Sequence, residues 1–181
     1  MSGTREGAMK SLSTLLLAAI IAFGGTIAGA PSEAQETMTK EKLAGAWRLV
    51  FFKATTGDKV SYPLGEQPGG YIEITPTRYW VMLTDPTRKA PAASTPTDAE
   101  SISLMKSHLA YTGKYDVDPT QTPDGIKITI HVDAASNQAL TGANRVFYLR
   151  VDGNKMRLKS PALVVPGGVT SVVEGEFVKA E

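Results

Sequence analysis

Ile126-Lys127-Ile128-Thr129-Ile130-His131-Val132-Asp133-Ala134 (IKITIHVDA) alternates apolar and polar residues. Successive side chains on a strand point to opposite faces, so Ile126, Ile128, Ile130 and Val132 form a core face, and Lys127, Thr129, His131 and Asp133 a polar one. Asp124-Gly125 stands directly before this run, a hairpin signal that pairs it with the preceding segment, Lys114 to Asp118. A β-bulge near Asp133 or Ala134 would reverse the phase and turn His131 inward.

The same pattern repeats on both sides. Upstream are Ala46 to Ala54, rich in aromatic and β-branched residues, and the pair Tyr71 to Thr75 and Tyr79 to Thr84, joined by Pro76-Thr77-Arg78. Downstream come Arg145 to Val151 and Lys155 to Lys159, with Asp152-Gly153 between them, and then Ser171 to Lys179. Short strands at hairpin spacing predict an all-β antiparallel barrel or sandwich. Two segments depart from this rule. Residues 85–97 (DPTRKAPAASTPT) read as an exposed loop, and Asp98 to Leu109 as a helix whose Ile102, Met105 and Leu109 share one face. Thr97 or Asp98 can cap it, and its apolar face would cover a barrel end or pack on the outer wall. Thr39 is placed to cap a second, very short helix.

Residues 1–34 read as an export signal: Arg5 and Lys10, then an apolar run from Leu12 to Phe23, then small residues with cleavage after Ala30 or Ala34. The rival is an uncleaved anchor, weakened by its glycines and threonines. Residues 35–42 are a linker with the short helix, and 43–179 the domain. Cleavage leaves about 150 residues, enough for one domain with a real core. The expected location is the periplasm or the exterior.

With 19 Lys and Arg against 18 Asp and Glu, the chain lacks the basic excess that nucleic acid needs. It has no cysteine, which excludes disulfides, a thiol nucleophile and a lipid-modified cysteine. Two histidines without cysteine argue against zinc, and no phosphate loop, dinucleotide fingerprint, nucleophile elbow or His-Glu-x-x-His is present. No cofactor or metal is expected.

Gly45-Ala46-Trp47 gives the glycine-x-tryptophan start of lipocalin barrels. Pro63-Leu64-Gly65-Glu66-x-Pro68-x-Gly70-Tyr71 follows, then Ala110-Tyr111-x-Gly113-x-Tyr115, His131-Val132, Ser136, Gly142 and Arg145. In that order and spacing the chain resembles the bacterial and fungal lipocalin-like domain family. The resemblance implies an eight-stranded antiparallel up-and-down barrel of the lipocalin-like (calycin) type, with one short helix and a cavity at one end for a small apolar ligand. The chain departs where the family tends to carry Trp-x-Arg, having Phe177-Val178-Lys179 instead. Lys179 lacks the planar guanidinium that stacks on the first-strand tryptophan.

Phase nominates the ligand contacts. Tyr111, Gly113, Tyr115 and Val117 share the inward face of one strand, so both tyrosines either orient a ligand or fill the core. Arg145 is in phase with Phe147, Leu149 and Val151, and an inward guanidinium calls for an anion, an internal carboxylate or a place at the rim. His131 falls on the outward face by strict alternation, against a family pattern that places a histidine there. Trp47 is expected to plug the closed end, and only one of Tyr79 and Trp80 can face inside. The expected function is an exported, non-enzymatic, monomeric barrel holding a small hydrophobic or amphipathic molecule through Tyr111, Tyr115, Arg145 and, more weakly, His131. Nucleic acid, and a membrane once the signal is removed, are not expected partners. Two alternatives stay open: an isomerase or cyclase using an inward His131, and a structural envelope protein with a packed barrel.

Overall fold

The hairpins expected around Asp124-Gly125 and Asp152-Gly153 form, and their strands belong to one closed sheet. The computed structural model describes residues 39–165 and 168–180. The export signal expected over 1–34 lies outside these residues. The first strand, β1, spans Gly45–Thr56, and the short β2 Lys59–Ser61 pairs with its end. Next come β3 (Gly69–Ile74), β4 (Arg78–Thr84), β5 (His108–Thr122), β6 (Gly125–Ala135), β7 (Asn144–Asp152) and β8 (Lys155–Lys159). The chain finishes with the short β9 (Leu163–Val165) and β10 (Val169–Lys179). β1 pairs antiparallel with both β3 and β10, so eight strands run round a ring in the order β1-β3-β4-β5-β6-β7-β8-β10, and β2 and β9 hang on its rim. This is the expected up-and-down barrel, which removes the exposed strand edges that invite aggregation.

The two ends differ. At one, tight turns join β3 to β4, β5 to β6 and β7 to β8. Gly153 at φ +57° serves the last of these, a backbone conformation costly for other residues. The helix α1 (Lys40–Leu43) lies at this end, preceded by Thr39 in extended conformation. The buried Trp47 fills it and donates its indole N–H to the Leu43 carbonyl at 2.9 Å. Lys179 stands opposite Trp47 in register with its Nζ 5.2 Å from the indole centroid, so a lysine occupies the place of the stacking arginine. At the other end lie the longer connections, residues 57–68, 85–107 and 136–143, and the segment that leaves β8 at Ser160.

The second helix, α2, spans Asp98–Lys106 and carries a full capping box between Thr97 and Glu100. It is shorter than the periodicity predicts, because Leu109 is drawn into β5 as the partner of Leu83. Cross-strand hydrogen bonds override the local helical spacing there. Of the expected apolar face, Ile102 and Met105 remain exposed.

Alternation along the strands builds the core. Leu49, Ile72, Ile74, Val81, Leu83, Ile126, Ile128, Ile130, Val132, Phe147, Leu149, Met156 and Phe177 all point inward and are buried. Besides the register shift between Asp118 and Gln121 beside the β5–β6 turn, two bulges interrupt the phase. One falls at Val50 in β1, so Phe52 rather than Phe51 faces the core beyond it. The other falls at Asp133 in β6, where Thr112 pairs with Ala134 and Gly113 with Val132. A Cβ on Gly113 would stand 2.0 Å from the His131 carbonyl oxygen, so the strands approach there at a distance only glycine permits.

Candidate functional site

Among the inward-facing side chains, three polar ones come together: Tyr79 from β4, Tyr111 from β5 and Arg145 from the start of β7. Strand phase puts them there. Tyr79 continues the Val81–Leu83 face, Tyr111 stands opposite Val81, and Arg145 stands opposite the fully buried Ile130. The two tyrosine rings stack at 6.0 Å between centroids and 19° between planes. The Arg145 guanidinium lies 5.6 Å from the Phe147 ring, two residues along its own strand. Because β7 begins where the long 136–143 connection ends, Arg145 sits at the end of the barrel that carries the longer connections.

Electrostatics separate the three. Burial pushes the Tyr111 hydroxyl up to about 12, against the opposing pull of the Arg145 guanidinium and the Tyr79 hydroxyl. Tyr79 is raised well above the ordinary phenol value, first by burial and then by Tyr111. Both therefore stay neutral and act as hydrogen-bonding hydroxyls. Arg145 is half-buried, and its Nε is buried without a hydrogen-bond partner among the described residues. Arg78 also has a buried, unpartnered Nε, but its Nη2 meets both oxygens of Asp133 at 2.7 Å. No comparable carboxylate pairs with Arg145 among the described residues.

The remaining nominated residues lie elsewhere. Tyr115 faces inward at the closed end, donates its hydroxyl to the Thr75 carbonyl at 2.9 Å and has the Lys40 ammonium 4.7 Å from its ring centroid. Its hydroxyl already has a partner within the fold. His131 faces outward, because the β6 bulge falls two residues beyond it. Its Nε2 lies 2.8 Å from Asp116 Oδ2 and its Nδ1 2.8 Å from Asn144 Oδ1. An imidazole between two oxygen acceptors needs a proton on each nitrogen, and its pKa is raised accordingly, by Asp116 first and Asn144 second. The structure thus brings Tyr111 and Arg145 together and separates Tyr115 and His131 from them. Tyr79 completes the cluster. The phase it shares with Val81 and Leu83 was the signal that it, and not Trp80, faces inside.

Solvent exposure along the interior marks the same end. Ile128, Ile130, Leu149, Met156 and Phe177 are at most 1% exposed, whereas Val81, Tyr111 and Phe147 reach 5–6% and Arg145 is more open still. The body of the barrel is closely packed: within the cluster Tyr79 is 1% exposed and belongs to that packed body, Tyr111 is 5% exposed, and Arg145 is half-buried. Nothing in the cluster resembles a metal site, and no group of three metal-ligating side chains gathers among the described residues.

A family model described as a lipocalin-like domain matches residues 44–168. No curated protein and no solved structure matches the chain significantly. The match spans most of the closed ring and contains the whole Tyr79–Tyr111–Arg145 cluster, and on that ground the chain belongs to the lipocalin-like domain family.

Proposed function

We propose that this barrel is an exported carrier that binds a small amphipathic acid at the end that carries its longer connections, with the anionic head on Arg145 and the Tyr111 hydroxyl. The observation that carries the reading is the inward Arg145, whose buried Nε has no partner and whose charge meets no carboxylate within the described fold. A buried N–H left without a partner is costly, and a ligand carboxylate on this half-buried guanidinium would offset that cost with charge-assisted hydrogen bonds. Tyr111 supplies a neutral hydroxyl beside it, backed by the buried Tyr79, and Phe147 and Val81 an apolar wall for the first carbons of a tail. Close packing deeper in the barrel favours a shallow ligand, its tail leaving toward the long connections. Export rests on the basic, apolar, then small-residue order of residues 1–34.

Catalysis in the cavity would need a proton-transfer group. His131 is on the outer wall, and two tyrosines held above their ordinary pKa make poor bases at neutral pH. Calorimetric titration with decanoate and with decanol tests the proposal. The wild-type protein should prefer the acid, and Arg145→Met should weaken decanoate about tenfold or more while leaving decanol nearly unchanged. Equal losses for both would remove the anion role. A barrel that binds neither, and carries no small molecule in native mass spectra, would favour a structural role with a packed interior.

A further inference from the structure

Outside the barrel, the connection from β4 to β5 builds a concavity. Its proline-rich stretch is tied down at both ends. Asp85 accepts from the Thr87 N–H at 2.8 Å and the Thr87 hydroxyl at 2.7 Å, and its own N–H donates to the Ser107 carbonyl at 2.9 Å. At the far end Glu100 accepts from the Ala92 N–H at 3.0 Å, and from the Thr97 N–H and hydroxyl at 2.8 Å each. The segment is therefore held against α2 as a wall.

Between this wall, α2 and the outer face of β4 lies a cleft of about 600 Å³. Ser101, Leu104 and Met105, at i, i+3 and i+4, turn one side of α2 toward it, and His108, the first residue of β5, lies beside them. Met82 of β4 forms part of its floor, and Met82 and Met105 are 56% and 52% exposed. A floor of two methionines and a leucine suits an acyl chain, since thioether side chains adapt to flexible apolar partners.

The rim has one sign. Arg88 and Lys89 are the lysine and arginine side chains that line the cleft, and no carboxylate lines it. Neither enters an ion pair among the described residues. The carboxylates nearest in sequence, Asp85 and Glu100, accept the hydrogen bonds that hold the wall, and Arg88 acts on Asp85 only as the last of the influences that lower its pKa, after the Thr87 hydrogen bonds. His108 must donate from Nδ1 to the Leu104 carbonyl at 2.9 Å, which leaves Nε2 as the second ring nitrogen available to a ligand.

We propose that this cleft is a second binding site, separate from the barrel mouth, for a single-chain amphipathic anion. The chain lies along Met82, Leu104 and Met105, and the carboxylate or phosphate head meets Arg88 and Lys89. Arg145 does not line this cleft, and the site does not require an occupied barrel.

The methionines supply the test. Met82 and Met105 report on the cleft, and Met156, fully buried, reports on the barrel interior. Methyl-¹³C methionine spectra of the full domain are followed during titration with dodecanoate, dodecyl phosphate and dodecyltrimethylammonium. The expected result is saturable movement of the Met82 and Met105 signals with either anion, the stronger binder identifying the preferred head. The cation should require at least about ten times the concentration. Arg88→Glu with Lys89→Glu should weaken the anions about tenfold with Met156 unmoved, a check that the fold is intact, and Arg145→Met should leave the response unchanged. Equal response to the cation, loss of the cleft signals in Arg145→Met, or movement confined to Met156 would each overturn the proposal. The last would still support a ligand in the barrel.

Discussion

If Arg145 is held for a ligand, the protein without ligand should be more stable without it. In Arg145→Met the stem keeps an apolar path of similar reach, while the buried unpartnered Nε–H disappears. Removing a buried unsatisfied donor returns roughly 1–3 kcal/mol. Against this stands the loss of the guanidinium at 5.6 Å from the Phe147 ring, about 0.5–1 kcal/mol. The balance is a gain of about 1 kcal/mol for the variant, or roughly 2–4 °C in melting temperature for a domain of this size. Ligand should reverse the order. Decanoate at about 100 times its Kd adds about 2.7 kcal/mol to the wild type. If affinity falls ten- to a hundredfold in the variant, the same concentration adds only about 0.4–1.4 kcal/mol. The assay is a pair of thermal melts for each protein, with and without decanoate, backed by urea denaturation. A variant that loses 1 kcal/mol or more without ligand would show that groups inside the fold already satisfy the guanidinium, and the anion argument would fail.

Three other predictions concern residues of β5 and β6. Tyr115→Phe should cost about 1 kcal/mol, from the lost hydrogen bond to Thr75, and leave decanoate affinity unchanged; an affinity loss would place Tyr115 in the ligand site. Gly113→Ala should cost about 3 kcal/mol in urea denaturation, because the new Cβ meets the His131 backbone 2.0 Å away; a variant within 0.5 kcal/mol of wild type would refute that close approach. His131 should titrate above the ordinary imidazole value in ring-nitrogen NMR and move down in Asp116→Asn. A raised folded pKa means its stabilising contribution is complete below the unfolded imidazole pKa of about 6.5 and fades as pH climbs through the folded value; an unmoved midpoint in the variant would sink this assignment.

Much of the ring was legible in order. The IKITIHVDA alternation, the Asp-Gly turns and the short spacing each reflect an interaction spanning a few residues, and each names a strand, a face or a hairpin directly. Boundaries were less legible. The helix begins at Asp98, where Thr97 and Glu100 cap it, but ends at Lys106, because Leu109 pairs with Leu83 across the sheet. That pairing is non-local and leaves no mark in the helical spacing.

The amino-acid sequence by itself determined which residues can face inward, because that depends only on period-two alternation between turns. Tyr111 and Arg145 follow from it, and so does the outward His131 once no bulge precedes it. Tertiary structure alone decided which inward residues meet. The stagger between strands brings Tyr79 beside Tyr111 and carries Tyr115 to the closed end, where Thr75 takes its hydroxyl. The bulge at Asp133 falls just beyond His131, and β1 closes the ring by pairing with β3 on one side and β10 on the other. Register, bulge position and closure are set by contacts between residues far apart in the chain, and no local pattern encodes them.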